Sequence, residues 1–253
     1  MQISRSYIDA FTRQLDGLTE HARRTLADDL AGVTDFDDMV GIMKVRMPAY
    51  STMAEALAVE FYAGIRASAN VPSEFTPEMP DYFDEERITR DTLAIAAEAA
   101  GTGASYAERL GDLAQREINN SANETIRRNT RRDPAKPKCA SVPTSSNPCE
   151  WCRMRAAAGF IYDQDSDSHS NCKCRLVPGY KGSTSVEGYD SNKYKAEYEK
   201  AAEAYHNGDI SDELKKKIDK AKARHQAEYD KDDGKVTKKW DDTNAILMVM
   251  RRN

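Results

Sequence analysis

Pro148-Cys149-Glu150-Trp151-Cys152 and, after a polar stretch, His169-Ser170-Asn171-Cys172-Lys173-Cys174-Arg175-Leu176-Val177-Pro178 hold four of the chain's five cysteines and one of its four histidines. A CxxC pair points two thiolates from one tight turn. HxxCxC adds an imidazole and two more thiolates at a spacing suited to tetrahedral zinc. The pattern reads as a structural Zn2+ site that takes four ligands from Cys149, Cys152, His169, Cys172 and Cys174. Cys149 and Cys152 form one half; the other is His169 with Cys172, His169 with Cys174, or Cys172 with Cys174, and spacing does not choose. A catalytic zinc would keep one position open for water, with a general base nearby. The acids between the half-sites, Asp163, Asp165 and Asp167, alternate with Gln164, Ser166 and Ser168 as in a solvated loop. A disulfide is the competing reading of the same cysteines.

Outward from this stretch, the only β-like runs are Gly159-Phe160-Ile161-Tyr162 and Lys173-Cys174-Arg175-Leu176-Val177, which suggests a small sheet closed by the metal. In a module of about 40 residues, a metal commonly substitutes for a hydrophobic core. Residues 133 to 148, rich in proline, lysine and serine, read as a connector or extended arm, and Cys139 as a buried or idle thiol.

Upstream the pattern is helical. Ile8, Phe11, Leu15, Leu18, Ala22, Leu26 and Leu30 recur at three-and-four spacing. Gly32 and the acids Asp35 to Asp38 interrupt that pattern. After Pro48, Thr52-Met53-Ala54-Glu55 has capping-box spacing, with Met53, Leu57, Phe61 and Ile65 on one face. Three prolines make residues 70 to 86 a loop or extended crossing. Helix resumes near Thr89, breaks at Gly101-Thr102-Gly103, restarts at a second capping box, Ser105 and Glu108, and stops at Asp133-Pro134. Downstream, Tyr194, Tyr198, Ala201 and Tyr205 share a helical face. Asn207-Gly208 stops that helix, and Ser211 opens another through Leu214, Ile218 and Ala221. The apolar run Ile246 to Met250 needs cover from its own domain or a neighbouring subunit.

The fold class is therefore mainly α: a helical N-terminal region (1–132), a small zinc-stabilised α+β module (133–182), and a charged helical hairpin with C-terminal tail (183–253). With 40% apolar and 31% charged residues, burial is expected to be completed by partners. No run of 18 apolar residues predicts a membrane span, and the first ten residues lack a secretory h-region, so synthesis in a reducing cytoplasm is expected. Residues 1–130 carry 13 Lys and Arg against 22 Asp and Glu; residues 131–182 carry 9 against 5. Arg127, Arg128, Arg131, Arg132, Lys136 and Lys138 bunch at that boundary, where they either track a phosphate backbone or solvate a helix end. Phosphate loops, GxGxxG, HExxH and GxSxG are all missing, and His21, His206 and His225 have no obvious partners. The chain reads as a protein that is not an enzyme and takes no small-molecule substrate.

The order Ile126-Arg127-Arg128-Asn129, Arg132-Asp133-Pro134, Ala140-Ser141-Val142-Pro143, CxxC, Gly159-Phe160-Ile161-Tyr162, HxxCxC and Val177-Pro178 resembles the minor capsid proteins of tailed actinobacterial phages. Those proteins are similar to the head-morphogenesis protein F of phage Mu. The segment Ala54 to Thr76, ending Val71-Pro72-Ser73-Glu74-Phe75-Thr76, is similar to the N-terminal half of that family. The resemblance covers roughly residues 1 to 180. It implies a low-copy structural protein of the virion head, at the portal or capsid interior, that contacts portal or major capsid protein and aids head assembly, DNA packaging or ejection, with packaged DNA as a further contact. It also implies zinc ligation by Cys149, Cys152, His169 and Cys172 or Cys174. Two other readings stand beside it. One is a zinc-stabilised DNA-binding protein using the basic cluster at 127–138; the other is a hydrolase or nuclease using His169 and the carboxylates at 163–167.

Overall fold

The computed structural model describes residues 1–161, 172–180, 184–232 and 240–251. His169, Tyr162 and the acids at 163, 165 and 167 therefore lie outside the described residues. The fold is mainly helical, as expected, and divides into two compact units: Met1–Ser145 with Phe160–Tyr189, and Ser146–Gly159 with Asp190–Asn253.

In the first unit, α1 (Arg5–Asp29) buries Ile8, Phe11, Leu15, Ala22 and Leu26, most of the stripe its periodicity predicts. The second helix departs from expectation. α2 runs unbroken from Phe36 to Ser68 through Pro48. Asp35 caps it by accepting from the Asp37 and Asp38 amides, so the acids read as an interruption are the helix start. Acidic groups suit that end because the first amides are unpaired and the dipole there is positive. No cap forms at residue 52: the Thr52 hydroxyl donates to the Pro48 carbonyl instead. The buried face takes in Phe61 and Ile65 as expected and otherwise differs, with Met39, Met43, Met47, Ala54, Ala58 and Tyr62 inside and Met53 about half exposed. Gly64 leaves room for the Tyr7 ring, which any Cβ there would strike.

α3 (Glu85–Thr102) ends at Gly103, whose left-handed φ of +70° an L side chain would resist. α4 (Tyr106–Arg132) begins where expected, with the Ser105 hydroxyl accepting from the Glu108 amide, and stops at Asp133, before Pro134. It is the central helix of this unit: α1, α2, α3 and two strands pack on it.

Those strands are β2 (Lys138–Pro143) and β3 (Cys174–Gly179), antiparallel from Lys138↔Gly179 to Pro143↔Cys174. β3 falls on a predicted run, whereas β2 lies in the segment read as a connector or extended arm. Its alternation is masked because Cys139 through Pro143 are all buried. Ile161 adds one bridge to Cys139, and the Phe160 ring lies against Gly179. A second small pairing is parallel, β1 (Gln2–Ile3) with β4 (Ser185–Val186).

The crossing at residues 71–84 has no helix or strand, yet its backbone is held by side chains. The Glu55 carboxylate accepts from the Asp81 and Tyr82 amides at 3.1 and 2.8 Å. The Asn129 side-chain amide accepts from the Glu78 amide and donates to the Glu78 carbonyl. Arg66 donates to the Ser73 carbonyl, and Arg128 to that of Pro80.

The second unit comprises α5 (Glu150–Ala157), α6 (Ser191–Asn207), α7 (Asp212–Asp232) and α8 (Thr243–Met250). Gly208 closes α6 in the left-handed conformation at the predicted stop. The expected charged hairpin is only part of the arrangement, since α6 packs chiefly on α5 and α8. The terminal apolar run finds its cover inside its own unit. Ala245, Ile246, Leu247, Val249 and Met250 form a core with Ala201, Leu214 and Ile218. No helix of the described residues is long and apolar enough to cross a membrane.

Candidate metal centre

α5 begins at the CxxC. Cys149 is its N-cap residue, and its Sγ accepts from the Cys152 amide at 3.5 Å, which turns the Cys149 sulfur toward the first turn of the helix. The second pair behaves alike: the Cys172 Sγ accepts from the Cys174 amide at 3.5 Å. Amide donation to sulfur favours the thiolate, the form that binds metal. Cys152 is buried in the second unit, and Cys172 and Cys174 are buried in the first. These buried cysteines could hold a metal ion. Of the five ligands the sequence proposes, these three are buried. Cys149 is half-buried at the head of α5, and His169 falls outside the described residues.

Sequence reasoning missed Arg175. It follows Cys174 and is completely buried, although arginine is seldom buried without partners. Its Nη1 donates to Asn119 Oδ1 at 2.8 Å and to the Cys174 carbonyl at 3.3 Å, and its Nη2 reaches Asp16 Oδ1 at 3.5 Å. Burial lowers the Arg175 pKa, opposed by Asp16 and by the Cys172 and Cys174 sulfurs. A guanidinium beside two thiols supplies part of the countercharge a tetrathiolate or trithiolate site needs, so the donor set fits a metal. Asn119 also donates to the Cys172 carbonyl, and Asn123 accepts from the Leu176 amide. α4 thus fixes the backbone on both sides of Cys174. Its Asn-rich run, Asn119, Asn120 and Asn123, was the available signal, because a helix that places amides on its buried face needs backbone partners there.

The basic cluster is largely engaged. Arg127 and Arg128 both pair with buried Glu124, Arg132 pairs with Glu78 at 2.7 Å, and the Lys136 ammonium donates to the Arg131 carbonyl. Lys138 opens β2 with an exposed side chain. Beside the cluster lies Asp133, fully buried, which accepts from the Tyr62 and Tyr180 hydroxyls, both at 3.1 Å, and from Arg66 Nε at 2.9 Å. Burial, together with this carboxylate, pushes both phenols well above their ordinary range.

Residues 2–201 match the VG15 protein family. The chain belongs to that phage-related family of viral gene products. No curated protein and no solved structure matches it. The matched span takes in α1 to α5, all four strands and the first part of α6, and so includes the four clustered cysteines and Arg175.

Proposed function

We propose that this VG15 protein is a low-copy minor head protein of a tailed phage, of the Mu F-like type. It would associate with portal or major capsid protein at the capsid interior and aid head assembly, DNA packaging or ejection. The observation that carries this reading is the match of residues 2–201 to a phage-related family. The ordered resemblance from Ile126 to Pro178 supports the head-protein assignment. A structural rather than catalytic role is supported by how the buried carboxylates are spent: Asp133 on Arg66 and two tyrosines, Glu117 on Arg87, Glu124 on two arginines. Val45, Met53 and Met79 are exposed and offer apolar contacts to a neighbour.

The metal in this reading is a structural Zn2+, held by Cys152, Cys172 and Cys174 with Cys149 or His169 as fourth ligand. Bound there, it would supply tetrahedral coordination for these thiolates. The chain's own contribution is to orient the thiolates through the two amide-to-sulfur bonds and to neutralise them with Arg175.

Quantitative mass spectrometry of purified heads tests the assignment. A few copies per head are expected, and absence from heads in which portal and capsid protein are detected would sink it. Elemental analysis tests the brace separately: one zinc per chain is expected, lost together with folded structure in Cys152→Ser/Cys172→Ser.

A further inference from the structure

We propose that the outer face of α7 binds double-stranded nucleic acid through the phosphate backbone, with Lys216, Lys220 and Arg224 as its contacts. These three residues recur every four positions, so they form one stripe about 12 Å long at ~1.5 Å per residue. All three are exposed. Two acids of α7 pair elsewhere, Asp212 with Lys215 and Glu213 with Lys217; Asp219 lies between Lys216 and Lys220, and none of the three stripe cations has an ion pair among the described residues. This contrasts with Arg127, Arg128 and Arg132, whose charges are taken up by Glu124 and Glu78.

The opposite face of α7 narrows the choice of partner. Leu214 and Ile218 are buried in the core that α8 completes, and His225 meets Trp240 edge-on at 5.4 Å. A helix that docks on anionic lipid keeps its apolar face free to enter the headgroup region, and here that face is occupied. Protein interfaces centre on apolar and aromatic groups and are poor in lysine, whereas the exposed apolar residues beside these cations, among the described residues, are Ala223 and Ala227. What remains is contact by charge alone, the sequence-independent mode of phosphate recognition. The inference concerns a helix beyond the family-matched residues and does not depend on the head assignment.

The test is fluorescence anisotropy of the full chain with a mixed-sequence DNA duplex of about 30 base pairs across a sodium chloride series. Three phosphate contacts give a slope of about −3 for log K against log salt. The variant K216E/K220E/R224E is expected to bind at least tenfold more weakly with a flatter slope, while its circular dichroism and melting match the parent. R131E/K136E/K138E is expected to bind as the parent does. The proposal is overturned by no binding at low salt, by full binding of the α7 variant, or by loss of binding confined to the 131–138 variant. Equal competition by polyglutamate, or binding to anionic vesicles but not to duplex, would also overturn it.

Discussion

α4 and α7 are both strongly polar helices, and they meet opposite fates. α4 buries Gln115, Glu117, Asn119, Asn120, Ser121, Asn123, Glu124, Thr125, Asn129 and Thr130, while among the described residues of α7 only Leu214 and Ile218 are buried. Apolar content alone does not separate them. The polar groups of α4 meet partners from other elements, among them Arg87 on Glu117, Arg175 on Asn119, Ser51 on Ser121 and the Leu176 amide on Asn123. Those of α7 bond chiefly within the helix, as in Lys217 with Glu213 and Gln226 with Asp230. A polar helix can be buried when distant segments satisfy it, and each unmet group would cost about 1–3 kcal/mol.

The sharpest way to break the comparison is at the end of α4. Asp133→Ala strands Arg66 and two buried phenols, and should cost about 3–5 kcal/mol in urea unfolding. A loss below 1 kcal/mol would mean that this buried network contributes little to stability. Next is Ser121→Ala, which takes the acceptor from the buried Ser51 hydroxyl 2.6 Å away and should cost about 1–2 kcal/mol. Ser51→Ala/Ser121→Ala should cost less than the two single changes added together, because the stranded hydroxyl is then gone. Additive losses would deny the coupling.

A third probe uses pH. Burial raises the Glu55 pKa above its ordinary 4.5, more than the Tyr82 and Asp81 amides lower it. The folded state then holds this proton more tightly than the unfolded chain does. Its contribution to stability is greatest below pH 4.5 and declines as pH rises through the raised value. Melting curves from pH 4 to pH 7 should show this decline flattened in Glu55→Gln; an unchanged profile would contradict it. The smallest effect belongs to α7, where Lys217→Ala, at a pair more than half exposed, should alter unfolding by no more than about 0.5 kcal/mol.

What was legible in the sequence follows from the same contrast. Features set by near neighbours could be read: the α1 stripe, the Ser105 cap, the stop at Asp133-Pro134 and the glycine end of α6. Pro48 misled because a proline usually marks a boundary, but α2 continues through it, started by the Asp35 cap and anchored by Met39, Met43 and Met47. β2 was hidden because its partner lies more than thirty residues away and both its faces are covered. The cysteine spacing proposed five ligands, of which Cys152, Cys172 and Cys174 are buried and Cys149 is half-buried. Nothing local could pair Arg175 with Asn119, which lies 56 positions earlier.

The crossing at 71–84 has the composition of a linker, yet Asn129 and Glu55 hold its amides at 78, 81 and 82 from α4 and α2. Hydrogen exchange at those three amides therefore gauges whether the helices beneath are in place, and slows or quickens with them. An epitope or cleavage sequence inserted there would displace the hydrogen bonds of two helices. The stretch that looks most permissive to an engineer is among the least suitable in the chain.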